Sequence, residues 1–164
     1  MPNLYLVRHA EPAITGVMLG ALDPPLSANG RAHAATLLIG VNLAMVYSSP
    51  QRRALETAEI IARGAPIEIL DGLREISHGD WNGLTWAEIE ARDPELARRK
   101  LSDWPGVTAP NGESYENFIA RAMAAFERIR RGPRPAAIVA HAGVNKLIGN
   151  IDQKYGDIHE LDAD

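Results

Sequence analysis

The chain reads as an α/β protein of three layers: a largely parallel central sheet flanked by helices, with a small helical insertion. Three observations carry this. Short apolar runs at Leu4–Val7, Leu43–Tyr47, Pro66–Leu70 and Ala136–Ala140 alternate with stretches of helical periodicity. Two of these runs lead straight into a histidine, as Val7-Arg8-His9 and Ala140-His141. No repeat or low-complexity linker breaks the 164 residues, a length that suits one domain with a sizeable core.

The first run is stopped by Pro12 and predicts a strand buried on both faces. Asp23-Pro24-Pro25 is a turn, and Ser27 is the expected N-cap of a helix over Ala28–Leu38, ended by Gly40. Leu43–Tyr47 predicts the second strand, broken by Ser48-Ser49-Pro50. Helix follows over Gln51–Arg63, with Ala54, Ala58 and Ile61 on one face. Pro66–Leu70 is the third strand. Leu73–Gly83 has loop composition around Trp81. Two polar helices, Thr85–Arg92 and Pro94–Lys100, and a Pro/Gly-rich loop make the insertion, at about residues 84–112. Tyr115, Phe118, Ile119, Ala122, Phe126 and Ile129 recur at helical spacing, so Glu113–Arg131 predicts a long helix with that stripe in the core. Ala136–Ala140 is the fourth strand, helix resumes near Val144, and Gly156–Leu161 is the last strand.

Composition excludes several classes. A net charge of −4 offers no global basic field for nucleic acid. With no cysteine, disulfide frames and thiolate metal sites are impossible. No run approaches the ~20 apolar residues of a membrane span, and the N-terminus lacks a signal-peptide pattern. The expectation is a cytoplasmic protein that binds neither nucleic acid nor membrane. Its oligomeric state is open, a dimer included.

Arg8 and His9 end one strand, Arg53 lies in the first helical turn after another, Glu75 follows a third, and His141 ends a fourth. In a parallel sheet all fall on the carboxyl rim, where open α/β folds hold ligands. Taken alone, Arg8-His9 also fits a packed histidine and an arginine paired to Glu11. Together, two imidazoles, two guanidiniums and a carboxylate suit phosphoryl transfer. Guanidiniums grip phosphate oxygens and stay charged. A neutral imidazole is a competent nucleophile near neutral pH, and nearby arginines depress its pKa. Glu75 suits the proton transfers. Those arginines would also repel a cation, so neither a metal nor any other cofactor is expected.

Several segments resemble the histidine phosphatases, the phosphoglycerate-mutase-like superfamily. Leu6-Val7-Arg8-His9-Ala10-Glu11 is similar to its opening signature, with Ala10 where glycine is usual. Asp23–Gly30 resembles its next segment. Ser48-Ser49-Pro50-Gln51-Arg52-Arg53-Ala54-Leu55-Glu56-Thr57-Ala58 is similar to the segment with its second phosphate arginine. Leu73-Arg74-Glu75-Ile76 resembles its acid segment, and Asp80-Trp81-Asn82-Gly83 follows with Asn82 where glutamate is common. Pro110–Ser114 and Val139-Ala140-His141-Ala142-Gly143-Val144 complete the series. The resemblance implies a phosphoglycerate-mutase-like fold with His9 as the phosphorylated nucleophile. Arg8, Arg53 and His141 would cradle the phosphoryl group, and Glu75 would donate the proton.

Two departures follow. The segment from Glu11 to Asp23 is short and lacks an asparagine near the phosphate, for which Thr15 or Gly16 is a substitute. The stretch after Gly149 is compressed, which reads as an omitted disordered loop rather than a deletion. His78 is a further candidate for substrate contact, and Arg52 is expected in a surface ion pair. His33 and His159 are read as surface or packing residues. Trp81, Trp86 and Trp104 are candidates for a substrate mouth or for core. The implied activity is metal-independent hydrolysis of a small phosphorylated metabolite, in the manner of the α-ribazole phosphatase branch. The alternatives are phosphoglycerate mutase activity and a non-catalytic phosphate- or phosphoprotein-binding module.

Overall fold

The computed structural model describes residues 3–162. In chain order the elements are β1 (Leu4–Arg8), α1 (Ala28–Ala34), β2 (Met45–Ser48), α2 (Arg52–Ala62), β3 (Ile67–Ile69), α3 (Trp86–Arg92), α4 (Pro94–Ser102), α5 (Tyr115–Arg130), β4 (Ala136–Ala140), α6 (Ala142–Gly149) and β5 (Ile158–Leu161). The strands form one sheet in the order β3-β2-β4-β1-β5. The first four are parallel; β5 runs antiparallel to β1, with Val7 opposite Ile158.

β1 and β4 lie side by side in the middle, which is why both are apolar throughout. Alternate residues point to opposite faces. Leu4, Leu6, Ala136 and Ile138 pack under α5 and α6 with Phe118, Ile129 and Val144. Val7, Ala137 and Val139 pack under α2 with Ala54, Ala58 and Ile61. Leu6 and Ile138 are fully buried. Each such side chain stabilises the sheet by about 1.5–3 kcal/mol, so the strand ends that carry His9 and His141 sit on the firmest part of the core.

The structure trims several expectations. α1 stops at Ala34 rather than Leu38. Leu38 and Gly40 have positive φ, and the Arg63 guanidinium takes the carbonyls of Ala35 (2.8 Å) and Leu37 (3.0 Å) that a longer helix would use. α5 begins at Tyr115 behind its Ser114 cap. Ile119, placed in the core stripe by its spacing, is exposed instead. It lies at the edge of the apolar arc, beyond the reach of the sheet. The insertion packs round its own small core of Trp81, Ile89, Ala97 and Ala109. A capping box between Thr85 and Glu88 starts α3.

Candidate active site

The topology brings five of the expected residues to one rim. β1 delivers Arg8 and, one residue on, His9; the neighbouring β4 delivers His141. The two imidazoles lie 5.1 Å apart between ring centroids, and both are buried. Arg53 comes from the first turn of α2, just past the end of β2, and is 1% exposed. Glu75 comes from the loop after β3.

His9 Nδ1 lies 2.8 Å from the carbonyl oxygen of Ala10. A carbonyl only accepts, so Nδ1 carries the proton and Nε2 keeps its lone pair. The His9 pKa is pushed down to about 3. Burial is the largest cause; the Ala10 bond opposes it, and the charges of Arg53 and Arg8 add to it. The arginines therefore act as expected on His9, but burial does most of the work of keeping it neutral.

His141 is arranged the opposite way. Its Nε2 lies 2.8 Å from the Ser49 hydroxyl, which already accepts the N–H of Gln51 at 3.2 Å. Among the described residues the hydroxyl hydrogen has no other acceptor, so Ser49 donates to Nε2. The proton of His141 then sits on Nδ1, as a donor. Burial, then the charges of His9, Arg53 and Arg8, hold this imidazole well below its ordinary pKa.

Among the described residues, Arg8 Nε, Arg53 Nε and His141 Nδ1 are buried without a partner. Such orphaned donors are rare in folded proteins. Here all three belong to side chains gathered around His9, and the charges of Arg8 and Arg53 act on both imidazoles. Each guanidinium is anchored through terminal N–H groups. Arg53 donates through Nη1 to the Leu22 carbonyl (2.6 Å) and through Nη2 to that of Gly20 (3.1 Å). Arg8 donates through Nη1 to the Gln153 carbonyl (2.6 Å). The pairing of Arg8 with Glu11 is not formed; Glu11 accepts from Ser27. A cluster of fixed cationic donors beside a bare imidazole nitrogen is an anion site.

Glu75 accepts the N–H of Gly143 at 3.0 Å and that of Ile76 at 3.0 Å. A Cβ on Gly143 would collide with the Glu75 carboxylate as it is placed, so glycine leaves room for this close approach. Although Glu75 keeps some exposed surface, the protein packed round its carboxyl group raises its pKa. The two N–H bonds and the charges of Arg53 and Arg8 act against that rise.

The other candidates stand apart from this cluster. Thr15 and Gly16 are exposed in the loop after β1, and neither is hydrogen-bonded to it. His78 is buried beside the insertion, edge-on to Trp104 at 6.5 Å, and its pKa is pushed down to about 4 by burial and then by Lys100. Trp81 is core, whereas Trp104 is 39% exposed. Arg52 pairs with Glu56 at 3.3 Å. His33 packs against Gly156.

Four residues escaped the sequence reading. Ser49 sets the tautomer of His141. Buried Gln51 donates to the Gly20 carbonyl (2.8 Å) and accepts the Glu75 N–H (2.8 Å), tying two loops together. Arg121 grips Glu113 at 2.6 Å and donates to the carbonyls of Gly72, Arg74 and Glu75, which fixes the acid segment. Tyr155 lies against both Arg8 and His9. Gln51 was visible as a polar residue on the buried side of a helix start; the others leave no signal in spacing.

Residues 4–151 match the histidine phosphatase superfamily, branch 1. The chain belongs to this superfamily. Several of its relatives are named as phosphatases. It is 31% identical over 160 residues to the adenosylcobalamin/alpha-ribazole phosphatase of Escherichia coli, covering 89% of this chain and 76% of that one. It is 36% identical over 138 residues to phosphoserine phosphatase 1 of Hydrogenobacter thermophilus, 80% of this chain and 65% of that one. A bifunctional protein of Mycobacterium tuberculosis is 41% identical over 108 residues, 65% of this chain, but the match spans only 27% of that protein's length. Among solved structures, the alpha-ribazole phosphatase of Shigella flexneri superposes with a TM-score of 0.85 at 27% identity, over 98% of this chain and 90% of that one.

Proposed function

We propose that this histidine phosphatase hydrolyses phosphomonoesters without a metal, through a phosphohistidine on His9. The observation that carries the reading is the bare Nε2 of His9 beside three orphaned donors, Arg8 Nε, Arg53 Nε and His141 Nδ1.

In the first step the Nε2 lone pair attacks phosphorus, and the bond from phosphorus to the ester oxygen breaks. The electron pair of that bond goes to the departing oxygen, which takes its proton from the carboxyl group of Glu75. Burial favours the protonated carboxyl that this step needs. Arg8, Arg53 and His141 hold the three equatorial oxygens as charge shifts on them, so the protein supplies the positive charge a metal would otherwise bring. In the second step the Glu75 carboxylate takes a proton from water, whose oxygen attacks phosphorus. The P–N bond breaks, phosphate leaves, and His9 regains its lone pair.

The substrate we propose is a small phosphorylated metabolite, with α-ribazole phosphate the first to try because an alpha-ribazole phosphatase superposes over 98% of this chain. The phosphoserine phosphatase among the relatives makes phosphoserine the second. Release of phosphate from p-nitrophenyl phosphate, unchanged by EDTA and blocked by vanadate, tests the reaction type. Loss of turnover on metal removal would contradict it. Parallel assays with α-ribazole phosphate, phosphoserine and 3-phosphoglycerate test the substrate.

A further inference from the structure

We propose that Tyr155 is a positioning residue of the phosphate cradle, holding the Arg8 guanidinium by its face; this rests on the phosphatase reading above.

The placement follows from the topology. β5 is antiparallel to β1 and starts opposite Val7. The residues just before it must therefore lie at the carboxyl end of β1, beside Arg8 and His9. The connection from α6 to β5 ends in one short turn, Gln153 to Asp157, in that place.

The turn is firmly held. Arg8 N–H donates to the Asp157 carbonyl at 3.0 Å, and Gly156 N–H is shared by the carbonyls of Arg8 and His9, each at 3.1 Å. The Gln153 side chain donates to the carbonyls of Leu6 (2.9 Å) and Asp157 (3.1 Å) and accepts from buried Asn145 of α6 (2.8 Å). Lys154 N–H donates to the Asp157 carboxylate at 2.7 Å.

From this frame the turn grips Arg8 twice. The Gln153 carbonyl takes one edge of the guanidinium. The Tyr155 ring takes its face, with Cζ of Arg8 4.3 Å from the ring centroid. The same ring lies 5.5 Å from that of His9. Among the described residues Arg8 pairs with no carboxylate. That choice of neighbours matters. A carboxylate would fix the guanidinium but cancel the charge it must offer to phosphate. A carbonyl and an aromatic face fix it and leave the charge, with Nε, free to act.

The experiment measures vanadate and inorganic phosphate affinity of the full chain by calorimetry, in wild type and in Tyr155→Phe, Tyr155→Trp and Tyr155→Met. Phenylalanine and tryptophan keep the π face and should hold affinity within about twofold. Methionine keeps apolar bulk without the ring quadrupole and should weaken vanadate by about tenfold, the size of a partly desolvated cation–π contact. In an Arg8→Gln background, Tyr155→Met should change affinity by less than about twofold, because the contact it removes is already gone. Unaltered vanadate affinity in Tyr155→Met would overturn the inference and leave the phosphatase reading standing. So would a loss in Tyr155→Phe equal to that in Tyr155→Met, since the hydroxyl rather than the face would then matter. If Tyr155→Met fails to fold, the phenylalanine and tryptophan variants decide alone, a tenfold loss in either being the overturning result. A wild-type protein that binds neither anion would overturn this inference and the phosphatase reading together.

Discussion

The Glu75 carboxylate accepts the backbone N–H of Gly143 at 3.0 Å, which locks the proposed acid to the first turn of the helix that His141 caps. Acid and phosphate donor are thus set by one rigid element. Glu75→Gln should slow phosphorylation of His9 by alkyl phosphates by about 10²–10⁴-fold, because an alkoxide leaves poorly without a proton. Phosphorylation by p-nitrophenyl phosphate, whose leaving group needs none, should slow far less. Single-turnover rates with both substrates check this; equal slowing would make Glu75 a positioning group. In wild type, kcat/KM for alkyl phosphates should fall as pH rises through the elevated pKa of Glu75.

Arg53 should not tolerate lysine. Its two terminal nitrogens hold the carbonyls of Leu22 and Gly20, and its Nε remains as a donor. Lysine keeps the charge but cannot make three divergent contacts from a rigid plane. Losing one preorganised donor is worth about 2–4 kcal/mol, so Arg53→Lys should lower kcat/KM by about 30- to 1000-fold. Arg52→Lys, exposed and paired only with Glu56 on the helix surface, should change it by less than about twofold.

Ser49→Ala should damage activity through His141. Without the hydroxyl, His141 Nε2 loses its donor, and the proton no longer has a reason to sit on Nδ1. An unpaired buried polar atom costs about 1–3 kcal/mol, so phosphate and vanadate should bind about 5- to 150-fold more weakly. Ser49→Thr, which keeps the hydroxyl, should restore most of it. Calorimetric titration of the two variants with vanadate decides the matter.

Stability should fall on acidification from near neutral pH. Folding lowers the pKa of His9, His78 and His141 from the ordinary 6.5, chiefly by burial. Below pH 6.5 the unfolded chain therefore binds protons the folded chain refuses, which removes about 1.4 kcal/mol per pH unit for each histidine. Glu75, with a raised pKa, works the other way and gains stability as pH falls. The net loss should be roughly 2–4 kcal/mol per pH unit between about pH 6 and 5. Calorimetry across that range should show a falling Tm, less steep in His78→Gln. A flat profile would mean that these histidines are protonated in the fold.

The fold and the five-residue cluster were legible because each left a local mark. Apolar runs such as Leu4–Val7 and Ala136–Ala140 mark central strands, and a parallel sheet sends whatever follows them to one rim. Helix ends were less legible. α1 is cut short by Arg63, a residue 29 positions beyond its last turn, and no window on α1 contains that information. The exposure of Ile119 has a similar origin, since helical spacing defines a face but not how wide a strip the sheet covers. Ser49, Arg121 and Tyr155 were invisible because they act through contacts between distant segments. Tyr155 reaches Arg8 only because β5 turns back along β1.

The assignment of the phosphoryl group to His9, and not to His141, is our proposal. It rests on two tautomers: the Ala10 carbonyl leaves Nε2 of His9 bare, while the Ser49 hydroxyl makes His141 a donor. The direct measurement is to mix the enzyme with p-nitrophenyl phosphate, quench within the turnover time in alkali, which spares phosphohistidine, and map the label by mass spectrometry. One phosphoryl group is expected, on the peptide containing His9, absent in His9→Ala. Label on the peptide containing His141, or turnover that persists in His9→Ala, would contradict it.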